Sequence, residues 1–225
     1  YHPHNGSNRI AVYLTPRLKK PYIGVEAGTW LVRLRGAAIR DGRFHAWIER
    51  DDPRPLGRVG ERNVWRFPSY FTQRSNVDNS SISSLACGLR IVSVANYDEQ
   101  VERINISSSQ GPTRDGRFKP EVAAAGTNIV AANGFSPAHR KWIAMSGTSM
   151  ASPYVAGVAA LMLAVEKRLT APQIIGIMRK TAQPLPGYDY YWQDDAGFGR
   201  IQPELCLEEA AIAYKQVEVK REGES

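Results

Sequence analysis

The residues best suited to chemistry form one string, Ser146-Gly147-Thr148-Ser149-Met150-Ala151-Ser152-Pro153. It stands between a brief β-prone run, Trp142 to Met145, and an apolar stretch rich in Ala and Gly, Tyr154 to Val165. A strand ends there, a glycine permits a sharp turn, and Ser149 falls in the first turn of a helix. The first N–H groups of a helix have no partner inside it and carry partial positive charge. A carbonyl attacked by Ser149 Oγ would build negative charge beside those donors, with the Ser149 N–H forming part of an oxyanion hole. Ala151, Ala156 and Gly157 are small, so the helix can be buried deeply and hold the serine rigidly. Pro153 is read as lying in the first turn, where its missing N–H costs little. A Gly-Thr-Ser string by itself reads as a Ser/Thr helix cap with no chemistry; the eight residues together are far more specific.

The elements that must position this string follow from periodicity. Ala151, Val155, Val158, Ala159, Met162 and Val165 recur at helical spacing and predict one apolar face. Thr170 with Gln173 three residues on is a capping box, opening a second helix that runs to about Lys180 with Pro184 beyond its end. A third helix is expected from Pro203 to about Lys215. Strands are expected at Leu89 to Val94, Asn128 to Ala131 and Trp142 to Met145. Strands interleaved with helices imply an α/β layered fold.

Upstream, the chain reads differently. Arg9 to Leu14, Thr29 to Arg35 and Arg43 to Glu49 are β-prone, the last two alternating, with Asp41-Gly42 offering a tight turn. Residues 1–60 are therefore expected to hold a small antiparallel β unit and 61–80 a connection. The composition rich in Pro, Arg, Asn and Ser that suggests a long irregular loop already begins at residue 51. The layered portion is expected over 81–217, and 218–225 as a charged, frayed tail.

The Ser146 to Pro153 string resembles the nucleophile motif of the subtilisin-like serine proteases, the subtilase family. Further segments resemble that family in the same order: Ile82 to Ala86, Ile91 to Asp98, Ser108-Ser109-Gln110-Gly111-Pro112, Asp115-Gly116-Arg117, Lys119-Pro120-Glu121-Val122, Ala124-Ala125-Gly126 and Gly197-Phe198-Gly199-Arg200. The likeness spans roughly residues 80 to 215. It implies a partial subtilisin-like fold, a parallel sheet flanked by helices. It also implies that Ser149 is the nucleophile of a peptide-bond hydrolase working through an acyl-enzyme. Thr148 would flank the oxyanion site and Met150 would border the leaving-group side of the cleft, a plain packing role being equally open to both. The sequence departs from the family at several places. Ala125 replaces a Pro, Ala95-Asn96 stand where Gly-Ala is usual, Tyr154 replaces a frequent His, and Ser107 stands where an aromatic is common. The β unit resembles in position an insertion carried by some bacterial subtilases.

A serine hydroxyl needs a base. The family supplies an Asp in Asp-x-Gly, a His before Gly-Thr and an oxyanion Asn in Gly-Asn, and none of these motifs stands here in a fitting context. The histidines are His2, His4, His45 and His139, and none precedes a Gly. The resemblance therefore implies a partner, an N-terminal part of the same protease carrying Asp, His and Asn, and a peptide or protein substrate. Loss of the triad Ser or His in the family's type enzyme lowers kcat by about 10⁶, a value belonging to that enzyme, so this chain alone is expected to be inert. A non-catalytic pseudoprotease serving as a binding or regulatory module is the alternative.

Composition sets the outer bounds. With 43% hydrophobic residues among 225, a real core is affordable. The net charge of +7 is concentrated in the first 60 residues, where Arg33 and Arg35 alternate with apolar neighbours as on a solvated strand face. No RNA- or DNA-binding signature accompanies them, and no run of 18 apolar residues suggests a membrane span. Cys87 and Cys206 read as buried or half-buried thiols, two being too few for a disulfide framework. No cofactor is expected, no trustworthy metal-ligand spacing is present, and a structural calcium is not readable from the carboxylates. The N-terminal residues lack a signal-peptide apolar region; the resemblance favours a secreted or cell-envelope setting.

Overall fold

The computed structural model describes residues 10–14, 20–21, 23–24, 28–39, 42, 44–48, 54–59, 62–66, 69–72, 79–134 and 141–222, without side-chain surroundings at 54–59, 62–66 and 214–222. Contacts divide the chain into two compact units, Tyr1–Tyr70 and Phe71–Ser225.

In the first unit the strands are not where alternation placed them. The described residues of 10–14, 28–39 and 44–48 have no strand structure and are exposed. Trp30, Val32, Leu34 and Phe44, the expected inward face, are all more than half exposed. Alternation makes a strand only when something covers the apolar face. The antiparallel pair is instead β1 (Arg54–Val59) with β2 (Arg62–Arg66), inside the expected loop. Val59 pairs with Arg62, so two residues, Gly60-Glu61, connect the strands. Pro55 and the arginines give this stretch the composition of a loop, and the register slips between Pro55 and Gly57.

The second unit carries the expected α/β layering. β3 (Val94–Asp98) lies between β4 (Arg103–Ile104), antiparallel to it, and β5 (Val122–Ala125), parallel to it. β3 begins where the expected strand ended, because buried Asn96 interrupts the apolar run that alone would mark a strand. β5 is a run of small residues with Val122, Ala123 and Ala124 wholly buried, a strand covered on both faces, which shows no alternation. Val122 and Ala124 join Ala151, Val155, Val158, Met162, Ile174, Met178 and Cys206 in the main core. Ala123, Ala95 and Tyr97 face the other way, against Leu185 and Ala196.

Three helices follow. α1 (Thr148–Val165) packs on β3, β5 and α3 through Ala151, Val155, Val158 and Met162, while Val165, expected on that face, is exposed. By length and a mean hydropathy of 1.5, α1 could cross a bilayer; a core helix passes the same test, and this one carries a packed stripe. α2 (Ala171–Thr181) opens with the expected box, in which the Thr170 N–H donates to Gln173 Oε1 at 2.8 Å. α3 (Pro203–Glu222) continues past Lys215 through most of the segment read as a frayed tail. Cys206 is buried, its Sγ 3.1 Å from Thr181 Oγ1, and burial pushes its thiol up; Cys87 is half-buried and also free.

A buried ionic knot joins these layers. Glu121, 1% exposed, takes Lys119 Nζ at 2.7 Å and Arg179 Nη2 at 3.0 Å on Oε1, and the Ser93 N–H at 2.6 Å on Oε2. Lys119 Nζ also donates to the Ile91 carbonyl at 2.5 Å. Removing one member leaves a buried charge without compensation. Glu121→Ala is expected to cost about 3–5 kcal/mol in urea unfolding; a loss under about 1 kcal/mol, as for a surface pair, would contradict this. Nearby, Tyr188 donates to Asp195 Oδ2 at 2.7 Å, and burial together with that bond pushes its phenol up to about 12. A folded pKa above the ordinary 10 gives stability that is present below pH 10 and lost as pH rises toward 12. Tyr188→Phe should flatten the alkaline fall in Tm across that window, and an unchanged slope would refute it.

Candidate active site

Ser149 is the second residue of α1, and it is exposed. Thr148 precedes it, also exposed, and Met150 follows, half-buried. The helix is capped by Gly147, with no side-chain cap bond and no acidic residue in the first turn. The cap reading of the Ser/Thr string is thereby corrected: neither Ser146 nor Thr148 nor Ser149 occupies the N-cap position. The Gly147 carbonyl accepts the N–H groups of Met150 at 2.9 Å and Ala151 at 3.4 Å. The N–H groups of Thr148 and Ser149 have no acceptor in their own helix and stand at its positive end. Pro153 lies in the second turn, not the first, because the helix already begins at Thr148. Its missing N–H leaves the Ser149 carbonyl without the usual i+4 donor.

The turn before Ser149 is built from behind. β6 (Ile129–Ala132) and β7 (Trp142–Met145) pair antiparallel, with Ile129 opposite Met145, and β7 delivers the chain to Ser146. Ser146 Oγ accepts the Asn128 N–H at 2.9 Å. Gly147 adopts φ 146°, ψ 166°, a backbone region essentially confined to glycine. Its N–H donates to the Gly126 carbonyl at 2.7 Å. Gly126 is needed for a different reason: a Cβ there would lie 2.5 Å from Asn96 Oδ1, 2.8 Å from the Gly147 carbonyl oxygen and 3.0 Å from Ala151 Cβ.

Sequence reasoning missed the support beneath this crossing. Thr127 Oγ1 donates to Asn96 Oδ1 at 3.2 Å and accepts from Asn105 Nδ2 at 3.1 Å. The Asn96 N–H donates to Ser108 Oγ at 3.0 Å. Asn96 Nδ2 is buried without a partner among the described residues, a cost of about 1–3 kcal/mol. The signal available was Asn96 itself, a carboxamide where a small residue is usual.

His45 stacks on Trp47 at 5.6 Å between ring centroids, in the first unit; His2, His4 and His139 lie outside the described residues. Among the described residues, no three His, Cys, Asp or Glu side chains come together to hold a metal ion.

The second unit thus sets an exposed Ser149 at the start of a helix that no side chain caps. A profile of the subtilase family matches residues 68–202, and the chain belongs to that family. It is 29% identical over 145 residues to Bacillopeptidase F of Bacillus subtilis, covering 61% of this chain and 10% of that protein. It is 31% identical over 132 residues to the Halolysin-like extracellular serine protease Nep of Natrialba magadii, covering 59% of this chain and 22% of that one. Among solved structures, the CspB protease of Clostridium perfringens shares the fold, with a TM-score of 0.52 at 24% identity over 67% of this chain and 31% of that one. The chain thus spans about a tenth and about a fifth of the two curated relatives.

The two glycines are expected to be irreplaceable for separate reasons. Gly147→Ala should cost about 1–3 kcal/mol through backbone strain alone. Gly126→Ala should cost at least as much through the displaced carboxamide and carbonyl. Denaturant midpoints equal to that of the parent protein would contradict both.

Proposed function

We propose that this chain supplies the nucleophile of a subtilisin-type serine endopeptidase, which hydrolyses peptide bonds through an acyl-enzyme on Ser149. One observation carries the reading: Ser149 is exposed at the second position of a helix whose mouth no side chain caps. Ser149 Oγ attacks the scissile carbonyl carbon while its proton passes to a histidine. The resulting oxyanion is met by the Ser149 N–H at the positive helix end. Collapse expels the amine, which takes the proton, and water then cleaves the acyl ester. Thr148 flanks the oxyanion position and Met150 the leaving-group side.

The histidine, the aspartate orienting it and the side-chain oxyanion donor come from an N-terminal part of the same protease, without which the chain is inert. The state of α1 supports this. Only Ala151, Val155, Val158 and Met162 are buried, and Leu161, Leu163 and Val165 on the rest of the helix are exposed. A helix apolar on most sides is normally a buried one, so a further layer is expected over it. The substrate is a peptide or protein, no cofactor takes part, and a secreted or cell-envelope setting fits the name of the Natrialba relative.

A fluorophosphonate probe tests the proposal. Protein that includes the preceding polypeptide should be labelled at Ser149, its Ser149→Ala variant should not, and the chain alone should react at background. Folded full-length protein left unlabelled would overturn the enzyme reading in favour of a non-catalytic binding module.

A further inference from the structure

We propose that Asn96 is a positioning residue for Ser149, acting through Thr127 and the Gly126–Gly147 crossing. The inference rests on the proteolytic reading above and adds a residue that the family pattern does not supply, since a small residue is usual where Asn96 stands.

Asn96 is wholly buried in β3 and is fixed by its backbone: the N–H donates to Ser108 Oγ at 3.0 Å, and the carbonyl accepts the Asn105 N–H at 2.8 Å. Its Oδ1 is the acceptor for the Thr127 hydroxyl. That hydroxyl has one proton, and the Asn105 amide already donates to its oxygen, so the proton is committed to Asn96. Thr127 in turn sits between the two residues that hold the nucleophile turn. Gly126 accepts the Gly147 N–H, and Asn128 donates to Ser146 Oγ. Moving Thr127 moves both bonds, and Ser149 is two residues beyond Gly147. The carboxamide also lies beside the crossing, since it and the Gly147 carbonyl would both crowd a Cβ placed on Gly126.

An independent observation concerns cost. The Nδ2 of Asn96 is a buried donor without a partner among the described residues, and such a group lowers stability. Alanine would remove that orphan donor but also the acceptor of the Thr127 hydroxyl, so the two effects on stability oppose each other while the link from β3 to the turn is lost.

The test uses the full-length protein and four variants: Asn96→Ala, Thr127→Val, Thr127→Ser and Asn96→Ala combined with Thr127→Val. Fluorophosphonate labelling rate, kcat and KM on a peptide substrate, and Tm are measured. Asn96→Ala and Thr127→Val should lower the labelling rate and kcat about 10- to 100-fold, the scale of a slightly misplaced group. KM should change less than about 2-fold, since only interactions of the transition state are lost, and the Tm of Asn96→Ala should change little, one orphan donor being exchanged for another. Thr127→Ser, which keeps the hydroxyl, should retain activity, and the double variant should lose no more than the worse single, as for residues on one path. Unchanged rates, a loss that follows a lowered Tm, a change in KM alone, or equal damage from Thr127→Ser and Thr127→Val would each overturn the proposal. If Asn96→Ala does not fold, the Thr127 pair decides by itself. If the parent protein and its Ser149→Ala variant are equally unlabelled, the proteolytic reading fails, and the role of Asn96 falls with it.

Discussion

The N–H of Gly147 reaches the carbonyl of Gly126 across 2.7 Å, and the approach is possible because neither residue carries a Cβ. At Gly147 the constraint is conformational, a backbone region closed to other residues. At Gly126 it is spatial, with a carboxamide, a carbonyl and the Ala151 methyl already filling the place of a side chain. Together they let β5, the turn before β6 and the start of α1 meet at one point. The direction in which α1 begins, and so the place of Ser149, follows from that meeting. Among the described residues, the Asn96–Thr127–Asn105 hydrogen bonds support this crossing from below.

Support from below comes in two chemically different forms. The sheet is fixed by apolar packing on both faces, with Val122 and Ala124 toward α1 and Ala123 toward Leu185 and Ala196. Its edge toward α2 is fixed by Glu121, which ties Lys119, Arg179 and the Ser93 backbone into one buried cluster. A buried ion pair is a poor source of net stability, because desolvation offsets much of the attraction. Its geometry is strict, however, and a carboxylate with three partners leaves β5 little freedom to slide against β3. Packing supplies most of the free energy, and the polar cluster supplies register.

What could be read from the sequence depended on how local the determining physics was. The α2 capping box and the buried stripe of α1 are set by residues three and four apart, and both stand where the sequence placed them except at Val165, the exposed last residue of α1. β7 was legible for a similar reason, a short β-prone run stopped by Ser146-Gly147. β5 was not, because a strand buried on both faces has no alternation and its small residues look like a turn. The runs at 29–35 and 43–49 failed in the opposite sense. They carry alternation, but alternation encodes a face that needs covering, and among the described residues that face is exposed. At the candidate site, the string placed Thr148, Ser149 and Met150 at the start of a helix, and α1 begins there. The Asn96–Thr127–Asn105 network could not be placed in this way, because its members lie up to 31 residues apart in sequence and meet only through the parallel pairing of β3 with β5.

The open mouth of α1 bears on the proposed role of its serine. A Ser, Thr or Asp at the N-cap position would satisfy an N–H and stabilise the helix relative to most residues; Gly147 does not do this. The small loss leaves the first N–H donors of the helix free of a side-chain cap, which is what the proposed oxyanion role needs, since a preorganised donor requires no rearrangement when charge appears. Pro153 extends the same arrangement one turn on, since it leaves the Ser149 carbonyl outside the regular helical ladder. The first turn of α1 is thus held both by the Gly147 carbonyl, which accepts the Met150 and Ala151 N–H groups, and by the Gly126 crossing behind it. Such a turn can be stiff while its polar groups stay available, provided the stiffness is supplied from outside the helix. The bonds from Asn128 to Ser146 and from Gly147 to Gly126 are where it is supplied, so residues outside the Ser146 to Pro153 string fix how the start of α1 is held.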